Sequence, residues 1–288
     1  MYDNLVLDEI KKLKTNEEIR NFVYNRIMYL DKNESWGFIG RAYSHSYDGY
    51  IGSKTYFNSY DYSSEPHNKA SVRLDDFTPY VELVKYICRL SEEQTSDPDE
   101  FGLHIFAGIA RILQDYFSKK SSNLQRDRGI VYVDHHSARG IEPISIIDIR
   151  EYGVASSYEI NALAHNLYKF LNMPTKYSIG KDGFSGRTKA FLLYGEGRYS
   201  FDLFVMDFAD LVPVKTMDNE VYGFPFVRGI SWEERRNLFG SSGVLLKYDE
   251  TYNIAAGILN KRCKLAAGLR IYKAGLDREI EPSTARRI

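Results

Sequence analysis

Ser157 opens the part of this chain whose residue types and spacing are best suited to chemistry. In Ser156-Ser157-Tyr158-Glu159-Ile160-Asn161, Ser156 and Glu159 fit the S-x-x-E capping box, which predicts Ser156 as N-cap and Ser157 as the first helical residue. Ile160, Leu163, Ala164, Leu167, Phe170 and Leu171 follow at a helical period, predicting one buried stripe. Ser157 stands one turn before Ile160, on that inward side. A side chain there feels the partial positive charge of the helix end and its free N–H groups, which favour an anion or a polarised carbonyl. Nucleophilic cysteines are set at such points because the field lowers the thiol pKa. Here the group is a hydroxyl.

The other reactive residues point elsewhere. Asp134-His135-His136 is not expected to hold a metal: neighbours on a strand point to opposite faces, and no C-x-x-C or H-E-x-x-H spacing accompanies them. His165 lies two turns beyond Ser157, too far to act as its base, and reads as a packed or hydrogen-bonded imidazole. Gly180 to Gly186, "GKDGFSG", lacks a Walker lysine and a G-x-G-x-x-G pattern, so a loop at the rim of a cleft is expected and no nucleotide cofactor. Glu233 to Arg236 read as a solvated helix face. Cys88 and Cys263 sit in apolar helical patterns, as buried thiols of a reducing compartment do.

The elements that must position Ser157 come from the whole chain. Its 288 residues are 43% hydrophobic and 27% charged, ordinary globular material. The 38 Lys and Arg nearly balance 39 Asp and Glu, so no overall field draws in nucleic acid or an anionic membrane. With no secretory leader pattern and no apolar run of spanning length, a soluble cytoplasmic protein is expected. Residues 1–125 read as a mainly helical portion. Thr15 to Glu18 form a capping box, and Thr78-Pro79 and Asp97-Pro98 begin two further helices. A Tyr-rich run interrupts them, with Tyr43, Tyr47, Tyr50, Tyr56, Tyr60 and Tyr62 among Ser, Gly and Asp; it fits a hairpin or long loop whose rings pack on the body of the protein. From 126 to 288 the pattern gives two strand-like runs, "GIVYVD" and "ISIIDI", and then the Ser157 helix. The strand candidates "TKYSIG", "TKAFLLY" and "RYSFDLF" come next, with a last helix from Asp249 to about Tyr272.

From Gly153 to Phe204 the sequence resembles the transglutaminase-like and arylamine N-acetyltransferase-like cysteine enzymes of the papain-related group. In them a catalytic Cys opens a helix, Leu recurs along it, and a Leu-Gly-Ile-Pro-like segment closes it; here Leu163, Leu167 and Leu171-Asn172-Met173-Pro174 are similar. The acetyltransferase run Cys-Phe-Glu-x-Asn is similar to Ser157-Tyr158-Glu159-Ile160-Asn161. A strand carrying the family's His and a hairpin partner carrying its Asp resemble "RTKAFLLYGEGRYSFDLF". The resemblance implies that Ser157, Lys189 and Asp202 stand at the Cys, His and Asp positions, with Ser156, Tyr158, Glu159 and Asn161 around a binding cleft. A second register through "GVASSY" puts Ala155 at the nucleophile position, but it lengthens the helix by two residues and turns its later side chains off their face.

A serine at position 157 has no thiol to ionise, and the helix field alone does not make a hydroxyl an alkoxide. Lys189 is a conceivable base, since Ser–Lys pairs run acyl chemistry, but an adjacent Asp holds the amine protonated. The expectation is therefore an α+β protein: a transglutaminase-like core in which the helix packs on an antiparallel sheet, and a helical N-terminal portion. The triad would be degenerate, without cofactor or metal. Such a cleft would bind a peptide, an amine-bearing small molecule or a partner protein, with no nucleic acid and no membrane; the oligomeric state stays open. The alternative is a serine-type acyltransferase or amidase working through Ser157 and Lys189, with N–H groups at the helix start as its oxyanion hole.

Overall fold

Short-range chemistry sets most element boundaries in the computed structural model, which describes residues 5–33, 37–39, 47–52, 55–58, 71–93, 98–117, 143–152, 155–182, 188–194, 204–215, 221–229 and 245–246. Helix α1 covers Leu5–Ile10. Thr15 and Glu18 then form the reciprocal cap, with Thr15 N–H donating to Glu18 Oε2 at 2.9 Å and Glu18 N–H to Thr15 Oγ1 at 3.1 Å. Helix α2 (Asn16–Asn33) follows and buries Ile19, Val23 and Ile27. Helix α3 (Thr78–Glu92) starts at Thr78-Pro79 as expected, but its N-cap residue, Phe77, has no capping side chain, and the residue before it serves instead. Asp76 Oδ1 accepts from the Thr78 N–H and hydroxyl at 2.9 and 2.8 Å. Helix α4 (Pro98–Tyr116) packs against α3.

Two sheets complete the fold. The first runs β1 (Gly37–Ile39), β2 (Thr55–Asn58), β3 (Ser71–Arg73), β4 (Ile144–Ser145), parallel at both ends and antiparallel in the middle. The run "ISIIDI" thus departs from its strand reading: after the two residues of β4 it becomes helix α5 (Ile146–Tyr152). Ser145 Oγ accepts from the Ile147 N–H at 3.1 Å, and Ile146 and Ile149 are buried three apart on one helical face. A short β-branched run supports both periods, and the cap decides it.

Helix α6 (Ser157–Phe170) leads into the second sheet, ordered β8-β7-β6-β5-β9. Strands β5 (Thr175–Asp182), β6 (Thr188–Tyr194), β7 (Phe204–Lys215) and β8 (Val221–Gly229) form an antiparallel meander, and β9 (Leu245–Leu246) adds in parallel to β5. Of the third strand candidate, "RYSFDLF", only Phe204 lies among the described residues, as the first residue of β7. Gly180, Lys181 and Asp182 belong to β5, not to a loop. The "GIVYVD" run, the Glu233 to Arg236 segment and the C-terminal stretch from Asp249 to Tyr272 lie outside the described residues.

The chain mixes helix and sheet as an α+β fold, and its hydrophobic core is continuous from Val6 to Phe208. α6 is its centre, with β5, β6 and β7 on one side and α2, α3 and α4 on the other. Leu163, Leu167 and Phe170 are wholly buried. Each contributes about 1.5–3 kcal/mol through removal from water. The one-stripe expectation is corrected here. Asn161, Ala162, His165, Asn166 and Tyr168 are buried as well, whereas Ile160 is only partly so. Among the described residues no helix is long and apolar enough to cross a membrane.

Candidate functional site

Both ends of α6 are fixed by hydrogen bonds legible in the sequence. Glu159 Oε2 accepts from the Ser156 N–H at 2.8 Å and from the Ser156 hydroxyl at 2.5 Å, while Ser156 Oγ accepts from the Tyr158 N–H at 3.3 Å. At the other end Asn172 takes a left-handed conformation (φ 58). The Met173 N–H reaches Tyr168 O and the Asn172 N–H reaches Lys169 O, both at 2.9 Å, which closes a Schellman motif ahead of Pro174.

Ser157 is the first residue of α6, and its hydroxyl is directed at the sheet: Oγ accepts from the Ala190 N–H of β6 at 3.4 Å. The Ala190 carbonyl is taken from the same helix, by Asn161 Nδ2 at 2.9 Å. The β6–β7 ladder pairs Leu192 with Met206, Leu193 with Val205 and Tyr194 with Phe204. Continued in register, Ala190 would face Phe208. The side-chain amide of Asn161 takes that rung instead, because Oδ1 accepts from the Phe208 N–H at 2.9 Å. Nδ2 also reaches Asp207 Oδ1 at 2.8 Å and Ser157 O at 2.9 Å. Asn161 and Asp207 are both completely buried. Asp207 Oδ1 further accepts from the Ala209 N–H at 3.0 Å, at the irregularity where β7 and β8 shift register between Asp207 and Leu211.

The helix tip and the Lys189-Ala190 peptide therefore meet. Lys189 sits on β6 opposite Gly180, one residue before Ala190. Asp202 lies outside the described residues, as do Asp134, His135 and His136. Of the residues expected around a cleft, Tyr158, Glu159 and Asn161 are buried and Ser156 is partly buried. The carboxyl group that the sheet does bring against α6 is Asp207, which sequence reasoning passed over. Its signal was an acid inside the otherwise apolar run Phe204-Val205-Met206-Asp207-Phe208.

One and two turns further along, α6 holds the segment 47–52. His165 Nε2 lies 2.7 Å from Gly49 O, and Nδ1 lies 2.9 Å from Thr175 Oγ1. A carbonyl only accepts, so Nε2 carries the proton and Nδ1 receives the threonine hydroxyl. Asn166 pairs with both backbone groups of Ile51, Oδ1 accepting from N–H at 2.8 Å and Nδ2 donating to O at 2.9 Å. Nδ2 also reaches the Tyr80 hydroxyl at 3.0 Å, to which Tyr50 donates at 3.2 Å. A bridge between Tyr47 and Tyr177 completes the attachment. Tyr47 and Tyr50 of the Tyr-rich run are thus packed on the body of the protein.

Burial pushes the His165 pKa down to about 3, the bond to Gly49 O opposing and Lys169 assisting. Unfolded, the ring titrates near about 6.5, so between these values the unfolded chain binds the extra proton. Stability then rises with pH across this window and falls as pH drops below about 6.5, by up to about 1.4 kcal/mol per unit. Urea unfolding at pH 7 and pH 4.5 should show a loss of about 2–3 kcal/mol that His165→Gln largely removes. Equal pH slopes in the two proteins would contradict the assignment.

The chain matches no protein-family model, and no curated protein or solved structure is similar to it.

Proposed function

We propose that this is a transglutaminase-like protein whose reactive site is silent and whose cleft serves binding: of a peptide, an amine-bearing small molecule or a partner protein. The observation carrying this reading is that the cap of α6 already takes two of the N–H groups at its tip. An acyl-transfer site at that tip needs free backbone N–H groups for an oxyanion. The Tyr158 N–H is already given to Ser156 Oγ, and the Ser156 N–H to the buried Glu159 carboxylate, which would also repel a developing negative charge. The Ser157 hydroxyl accepts from a sheet amide, a structural use of the group. His165, an imidazole on the same helix, is committed to Gly49 and Thr175 and stays neutral.

The test is a panel of peptide amides, esters and acyl thioesters offered to the full chain and to Ser157→Ala. No turnover above the rate of the Ser157→Ala protein is expected with any of them. Turnover that disappears in Ser157→Ala would overturn the reading and establish the serine-type acyltransferase or amidase.

A further inference from the structure

A second concavity lies away from the α6 tip, built only from α3, α4 and α5, with a volume of about 140 Å³ and open to solvent. Its shape depends on a glycine. At Gly108, inside α4, an added Cβ would run into the Tyr86 ring of α3, so the ring lies directly on the α4 backbone. A helix interior disfavours glycine, and here its absence of a side chain seats a ring that walls the groove. Three guanidinium groups line the same space: Arg89 from α3, Arg111 from α4 and Arg150 from α5.

Carboxylates stand in or beside the groove: Glu82 and Asp115 line it, Asp76 accepts from the Tyr116 hydroxyl at 2.9 Å, and Glu93 acts on the Tyr86 phenol. Of the two carboxylates lining it, Glu82 lies 3.4 Å from Lys85, and Asp115 lies 3.7 Å from Arg111 at 61% exposure, where an ion pair is weak. Arg150 rests over the Tyr116 ring at 4.5 Å, fixed in place with its N–H donors still available at the edge. Arg89 has no ion-pair partner among the described residues. Arg89 and Arg111 both act electrostatically on the Tyr86 phenol, and Glu93 acts on it in the opposite sense. That phenol, raised to about 12 by burial, keeps its proton and can donate it in a hydrogen bond.

We propose that this groove binds a phosphate-bearing small molecule, the phosphate held by Arg89 and Arg111 with Tyr86 O–H as a further donor. Planar guanidiniums match phosphate oxygens two at a time, and the small volume admits a phosphate carrying a compact organic group. The organic part of the ligand lies along the Tyr86 and Tyr116 rings. This assignment is independent of the α6 site and of its silence.

Calorimetric titration of the full chain with phenyl phosphate, inorganic phosphate and benzoate tests it. Saturable binding of phenyl phosphate is expected, tighter than either comparison anion and weakened by salt. Arg89→Ala and Arg111→Ala should each lower that affinity by about tenfold or more, and Arg89→Lys by less, with circular dichroism unchanged. Arg89 is exposed, so its loss leaves the fold intact and keeps the test valid if the Arg111 variant is unstable. Absence of saturable binding, affinity unchanged in Arg89→Ala, or equal binding of benzoate would overturn the proposal. Equal binding of inorganic phosphate would do so too, by showing that the rings hold nothing.

Discussion

Asn161→Leu is expected to cost about 3–5 kcal/mol of folding free energy, read as a shift of the urea midpoint at constant slope. Leucine keeps the branching at Cγ and is larger than asparagine, so the loss does not come from a cavity. It comes from groups that asparagine serves and leucine cannot: the Ala190 carbonyl, the Phe208 N–H and the Asp207 carboxylate, all within the buried contact of α6 with the sheet. Each such group stranded in a dry interior costs about 1–3 kcal/mol. Since whole domains are stable by about 5–15 kcal/mol, this single change approaches the stability of the protein. Asn161→Asp should be worse, because it sets a second carboxylate against Asp207. A loss below about 1 kcal/mol in the leucine variant would show that the rung between β6 and β7 is not carried by this amide.

Asn166→Leu ranks second, at about 2–4 kcal/mol, and its effect should be regional as well as global. The amide of Asn166 imitates a peptide unit, meeting both the N–H and the C=O of Ile51, as a neighbouring strand would. Hydrogen exchange offers the discriminating readout. The Ile51 amide should be protected in the native protein and exchange much faster in Asn166→Leu, while amides in β5 and β6 change only as far as global stability falls. Tyr80→Phe removes the acceptor that Asn166 and Tyr50 share and should cost about 1–2 kcal/mol. Unaltered Ile51 protection in Asn166→Leu would contradict the anchoring role.

Residues that act on near neighbours made the local structure readable. Ser156 with Glu159, Thr15 with Glu18, and Asn172 before Pro174 mark helix ends through contacts within one turn. The strands after Pro174 follow from their β-branched and aromatic content. What sequence reasoning missed depends on distant partners. Asn161, His165 and Asn166 look like the polar side of an amphipathic helix, since nothing local reveals that a sheet covers one flank and the segment 47–52 another. Asp207 escaped notice for the same reason: its partner lies 46 residues away on α6. The "ISIIDI" run failed differently, because its apolar residues suit both periods and the Ser145 cap had to decide. At the site, the cap of the Ser157 helix was legible from Ser156 and Glu159, whereas the approach of Asp207 to Asn161 is a matter of geometry.

The amide of Asn161 in the rung between β6 and β7 has a consequence for how this sequence can change. Alignment of the two strands is dictated from outside the hairpin, by a helical side chain that recognises Ala190 on one strand and Phe208 on the other. The connection between Tyr194 and Phe204 is thereby relieved of the task of setting strand alignment, and its length and composition are free to drift without sliding one strand past the other.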